Sequence, residues 1–164
     1  MRPLTASEIR SSFVNAGSID PERIPLPGLH EMLWDEREFL GWRDGSTAHR
    51  GYIVFHADDG PIGIVLRAAA NRLPGGAAMC SLCQTSQPAG QVRLFSAQRA
   101  GDAGDAGDSV GTYICSDLGC STLIRMAPHG SPWDPNPEAV VVERAASLLR
   151  RLEAFTAKVL APRN

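Results

Sequence analysis

Apolar and polar positions alternate along this chain in a way that changes period several times. Over residues 5–15, Ile9, Phe13 and Val14 fall on one helical face. Thr5 or Ser7 can cap that helix, and Glu8 suits its first turn. Gly17 and the prolines Pro21, Pro25 and Pro27 then force an extended connection. Leu29, Met32 and Leu33 predict a short helical turn, and Trp34, Phe39, Leu40 and Trp42 are expected to plug the edge of the core. From Gly51 the period becomes two. Residues 51–57 and 61–67 are β-rich runs flanking Asp58-Asp59-Gly60, a good hairpin signal. Residues 91–97 and 110–114 read as a second strand pair, and 121–126 as a short helix.

The last element is the clearest. Asn136 can cap, Pro137 suits the first helical position, and Glu138 complements the positive end of the dipole. Val141, Ala145, Leu148, Leu149, Leu152, Phe155 and Val159 recur at steps of three and four, which predicts a long amphipathic helix. Its apolar stripe is read as core packing in preference to a partner-binding face. The fold class expected is therefore α+β: a small antiparallel sheet with an N-terminal helical segment and a long C-terminal amphipathic helix. We expect a single compact domain over 1–164, with a helical lead-in at 1–48, a β-hairpin at 49–73, a cysteine-bearing subdomain at 74–126 and the closing helix at 136–161.

Between the second strand pair lies Gly101-Asp102-Ala103-Gly104-Asp105-Ala106-Gly107-Asp108. Its three-residue step matches neither an EF-hand nor a nonapeptide roll, so a disordered acidic tip is expected there and not a calcium site.

Composition narrows the function classes. The 164 residues are 43% hydrophobic and carry a formal charge of -2, which argues against tight non-specific nucleic-acid binding. No apolar run reaches the ~18–20 residues of a membrane span, and the first residues lack a signal-peptide core, so a cytoplasmic protein with no membrane partner is expected. Of the basic residues only Lys158 is a lysine, so interfaces will be built on arginine. His30, His49, His56 and His129 are scattered, and there is no nucleophile elbow or phosphate-cradling glycine loop. No enzyme and no small-molecule substrate are expected.

The chemistry is concentrated in four cysteines, Cys80-x-x-Cys83 and Cys115-x4-Cys120. Disulfides would need an oxidising compartment, and a thioredoxin-like thiol redox protein would need its pair at the start of a long helix. Zinc accounts for both pairs at once, because thiolates two residues apart reach one tetrahedral ion from a tight knuckle. A knuckle, a hairpin and a second pair leading into a helix follow the order of a treble-clef finger. Cys80, Cys83, Cys115 and Cys120 are the expected ligands of one structural zinc, with no position left for water. Four thiolates and Zn²⁺ would take the formal charge from -2 to -4, and Arg93 and Arg125 are candidate compensators.

Cys80-Ser81-Leu82-Cys83 together with Tyr113-Ile114-Cys115-Ser116-Asp117-Leu118-Gly119-Cys120-Ser121 resembles the treble-clef domain of the elongation factor G-binding proteins, the FusB-type fusidic-acid resistance proteins. Leu40-Gly41-Trp42-Arg43-Asp44 and Asp58-Asp59-Gly60-Pro61-Ile62-Gly63 are similar to segments of its short members. The resemblance covers roughly residues 5–160. It implies a protein that binds elongation factor G, on or off the ribosome, and releases it where fusidic acid has trapped it, by contact and without covalent chemistry. The long members carry a separate helical bundle, whereas about 48 residues precede the first expected strand here. Leu82, Arg93, Tyr113, Arg125 and Trp133 form the expected partner face. The alternative is an RNA- or ribosome-binding zinc module acting without that factor.

Overall fold

The computed structural model describes residues 1–71, 73–126 and 136–162. A five-stranded antiparallel sheet in the order β1-β2-β3-β6-β7 organises it: β1 Leu40–Arg43, β2 Arg50–Ala57, β3 Gly60–Ala68, β6 Val92–Gln98 and β7 Ser109–Cys115. A separate two-stranded ribbon, β4 Ala77–Met79 with β5 Ser86–Pro88, flanks the first cysteine pair. Four α-helices, α1 Ala6–Ser11, α2 Asp102–Asp105, α3 Cys120–Met126 and α4 Pro137–Leu160, join short 3-10 turns that include the expected one at Leu29–Glu31.

Local chemistry explains most of these boundaries. Thr5 caps α1 in a reciprocal box with Glu8, each side chain accepting from the other's backbone N–H. Asn136 accepts from Ala139 N at the start of α4. The β2–β3 hairpin closes over Asp58-Asp59, with Gly60 at φ +127° and the register Ala57↔Gly60 through Arg50↔Arg67. As expected, the β6–β7 pair runs from Val92↔Cys115 to Gln98↔Ser109.

Three expectations need correction or addition. The 101–108 segment is a closed helical turn where disorder was expected. Asp105 N and Gly104 N donate to Gly101 O, and Asp108 N donates to Ala103 O, while Ala103 is buried. The loop also meets the end of α4, where Ala100 N donates to Val159 O. Short backbone bonds and one buried methyl outweigh its polar composition. Second, the tryptophan-rich segment contains a strand, β1, as well as core plugs: Phe39, Leu40 and Trp42 are buried. Third, the ribbon around the first knuckle carries no apolar period that would announce it.

The sheet has two unlike faces. One carries Ile53, Phe55, Ile64, Leu66, Phe95, Ala97 and Ile114, packed with Leu148, Leu152, Phe155 and Val159 of α4 and with all four cysteines. The metal centre is therefore part of the main core. The other face, at β1 and β2, is covered by the lead-in: Leu4, Ile9, Ile24, Trp42, Tyr52 and Val54 form a second core. Trp42 and Tyr52 stack with ring centroids 5.0 Å apart, and Phe13 meets Tyr52 edge-on at 5.7 Å.

Asp44 ties this second core to the β1–β2 turn. Its carboxylate accepts from Ser46 N at 2.8 Å, Thr47 N at 3.0 Å and the buried Tyr52 hydroxyl at 2.8 Å. Burial alone would raise the Asp44 carboxyl, but the hydrogen bonds from Ser46, Tyr52 and Thr47 hold it below its usual range. Burial, then the hydrogen bond to Asp44, pushes Tyr52 up to about 12.

The two shifts set a stability window. Asp44, depressed in the fold, contributes above the ordinary carboxylate pKa, and that contribution is lost as pH falls through its folded value. Tyr52, raised in the fold, contributes fully below ~10 and loses its contribution as pH rises towards 12. Tyr52→Phe leaves one Asp44 oxygen without its hydroxyl and is expected to lower stability by about 1–3 kcal/mol. Urea unfolding at neutral pH measures this, and the alkaline limb should then flatten in the variant.

Candidate metal centre

Each cysteine is delivered by a different piece of backbone. Cys80 directly follows β4, Cys83 closes the knuckle that comes next, Cys115 ends β7, and Cys120 opens α3. The first knuckle is held by Gln84 N donating to Cys80 O at 2.9 Å, with Gln84 in the left-handed region at φ +54°. Ser81 N donates to Tyr113 O at 2.7 Å and brings that knuckle against β7. In the second, Leu118 N donates to Cys115 O and Asp117 accepts from Gly119 N.

The four sulfurs all lie within 4.8 Å of one another and are buried. Cys80 Sγ to Cys120 Sγ and Cys83 Sγ to Cys115 Sγ are each 3.6 Å. A tetrahedron of sulfurs ~2.3 Å from one ion has edges of ~3.8 Å, so the spacing fits a shared metal and is far too long for a disulfide of ~2.05 Å. The short contacts run between the two pairs, which is the pattern of one site and not of two redox couples.

Charge gives a second test of fit. Hydrogen bonds from the Cys115 and Cys120 thiols push Cys83 far below the ordinary thiol range and lower Cys80 as well. Hydrogen bonds to Cys115, Cys80 and Cys83 drive Cys120 upward. Left to themselves, the thiols can ionise only at one another's expense. A divalent cation removes that conflict and lets all four act as thiolates. All-sulfur tetrahedral donation suits zinc, and four protein ligands make the site structural, with no open coordination position.

Surrounding groups fix the ligands. Gln87 Nε2 donates to Cys115 Sγ at 3.2 Å, and Cys83 N lies 3.5 Å from Cys80 Sγ as its donor. Arg151 of α4 donates to Leu82 O and to Gln84 Oε1, clamping the first knuckle. Arg43 of β1 donates to Ser116 O at 2.9 Å in the second, its guanidinium 5.1 Å above the Phe95 ring. Burial, then the nearby Arg93, lowers the Arg43 pKa.

Leu118, at φ +61°, wedges the second knuckle onto β1 and β2. A Cβ at Gly41 would lie 2.5 Å from Leu118 O and one at Gly51 2.9 Å from Leu118 Cδ1, so only glycine permits this approach.

The expected partner residues are not brought to one surface. Leu82 is turned into the core at 1% exposure, because the knuckle points it beneath Cys80 and Cys83 and not outward. Arg125 is engaged in a bidentate pair with the buried Glu38 at 2.7 and 2.8 Å, and Glu38 N donates to Ser121 Oγ. Hydrogen bonding to Glu38 raises the Arg125 pKa. Tyr113 is exposed at 41%, Arg93 is half-buried and paired with Ile114 on β7, and Trp133 lies outside the described residues. Sequence reasoning missed Gln87, Arg151, Arg43 and Glu38. The only available signals were the glycines inside the β1 and β2 runs.

Purified protein is expected to carry about one zinc per chain, measured by elemental analysis, with Cys120→Ser losing it and unfolding. Gln87→Ala should keep the fold and weaken zinc retention against a chelator by about tenfold or more. Arg125→Ala should cost about 2–3 kcal/mol in urea unfolding, since Glu38 loses a charge-assisted pair.

Comparisons with known proteins agree with this geometry. A family model described as the FBP C-terminal treble-clef zinc-finger matches residues 8–159. Among solved structures, the fusidic acid resistance protein FusC superposes with a TM-score of 0.54 at 20% identity, covering 87% of this chain and 57% of that one. The chain thus spans little more than half the length of FusC, and the likeness is one of fold. No curated protein matches the chain. With a match running through both cysteine pairs and nearly the whole sheet, the chain belongs to the FBP C-terminal treble-clef zinc-finger family.

Proposed function

We propose that this protein binds elongation factor G through its zinc end and modulates translation, displacing the factor where fusidic acid has trapped it on the ribosome. The observation that carries this reading is the family match over 8–159, centred on the metal knuckles. The protein would act by contact in the cytoplasm, where its partner works, and not by covalent chemistry. The sheet, the lead-in and the zinc knuckles would serve as one unit, since the metal lies in the core of the sheet and Glu38 ties the lead-in to α3.

Around the join of the first knuckle with β7, Met79 is 59% exposed and the cross-strand pair Leu94 and Tyr113 is also exposed. Adaptable methionine and aromatic side chains in such a setting are common interface anchors. Tyr113, Arg93 and Trp133 are the candidate contacts. Leu82 and Arg125 support that surface from within, one by packing under the knuckle and the other by locking α3 to Glu38.

Binding to purified elongation factor G is the test, read by co-elution and by interferometry. A complex is expected, weakened about tenfold or more by Tyr113→Ala with zinc content unchanged. Release of the factor from ribosomes stalled with fusidic acid should follow the same order. Absence of a complex with zinc-loaded protein would remove this reading.

A further inference from the structure

The sheet face opposite the metal is covered only in part. The lead-in packs over β1, β2 and much of β3, and its edge on β3 is marked by Asn15, whose amide donates to Val65 O and Gln98 O while its oxygen accepts from Val65 N. Beyond that edge the face is open. The register places Arg67 opposite Ser96 and Gln98 opposite Ser109, all on the uncovered side.

A cleft of about 550 Å³ lies at this boundary. Ile19 and Val65 give it an apolar wall, and Ser96 and Gln98 lie on its floor. His49 and Arg50, from the turn before and the start of β2, stand with Arg67 along the cationic side. A second cleft of about 300 Å³ shares His49, Arg67 and Ser96 and extends the first along β6 towards Leu94. No carboxylate lines either one. The Arg67 guanidinium has no hydrogen-bond or ion-pair partner among the described residues, whereas Arg50 is paired with the Asp44 carboxylate at 4.0 Å and also meets the Tyr52 hydroxyl.

Asp44 offsets the charge of Arg50, which leaves Arg67 as a guanidinium with no acid beside it in the cleft, where it can take an anion together with the donors of Arg50 and His49. The volume is that of a small-ligand site, and one apolar wall beside one cationic wall asks for a ligand with both characters. We infer that this cleft binds a nucleotide, its phosphates held by Arg67, Arg50 and His49 and its base lying against Ile19 and Val65. The ligand's chemistry is the same whether the nucleotide is free or a unit of single-stranded RNA. The site lies on the sheet face opposite the metal and does not rest on the elongation factor reading.

The test titrates full-length, zinc-loaded protein with GDP, ADP, inorganic pyrophosphate and a uridine tetranucleotide, followed by calorimetry and by the NMR signals of the His49 ring. A nucleotide probe should bind about tenfold or more tighter than pyrophosphate, and shift His49. Tighter binding of the tetranucleotide than of either diphosphate identifies RNA as the source; the reverse identifies the free nucleotide. Arg67→Glu and His49→Ala alter exposed side chains. Both should weaken binding, Arg67→Glu by about tenfold or more, with zinc content and unfolding midpoint unchanged. The inference is overturned if no nucleotide probe binds, if pyrophosphate binds as tightly as the nucleotides, or if Arg67→Glu leaves affinity unaltered.

Discussion

Four thiolates cannot occupy one buried site unless a cation is shared among them, and much of this fold is arranged to meet that condition. Cys80 and Cys83 arrive from a small ribbon, while Cys115 and Cys120 arrive from the end of a sheet strand and the start of a helix. The β6–β7 pairing and the bond from Ser81 to Tyr113 fix the distance between these two sources. Around the sulfurs the protein places amide donors and apolar side chains. Zinc here does the work that a larger apolar core would do in a longer chain.

That demand reaches well beyond the cysteines. Leu118 presses onto β1 and β2 where Gly41 and Gly51 leave room, Arg43 crosses from β1 to the second knuckle, and Arg151 crosses from α4 to the first. The lead-in is joined through Glu38 to Ser121 and Arg125 of α3. Each contact links the metal end to a different element, so the knuckles are braced from three sides.

Periodicity made the large elements legible. The α4 stripe, the β2–β3 hairpin and the β6–β7 pair stand close to where the pattern of apolar positions put them, because each buries one face against the core. The four cysteines were legible because ligand spacing is a local constraint. What escaped depends on tertiary contact. Nothing near Leu82 in sequence says that the knuckle turns it inward, and nothing near Arg125 points to Glu38, 87 residues earlier. The 101–108 turn has a polar composition, yet hydrogen bonds along its own backbone and contact with α4 order it. The open part of the sheet is legible only once Asn15 is seen to mark the edge of the lead-in's cover on β3.

The wide spacing of the two cysteine pairs also imposes an order on synthesis. Thirty-one residues separate Cys83 from Cys115. At ribosomal rates of roughly 5–20 residues per second, the first knuckle emerges about 2–6 seconds before its partner. During that interval two thiols stand without the other half of their site, open to oxidants and to softer metals that two ligands can hold. The chemical hazard of this protein therefore belongs to its birth. Once the β6–β7 strands pair, burial closes the centre to both.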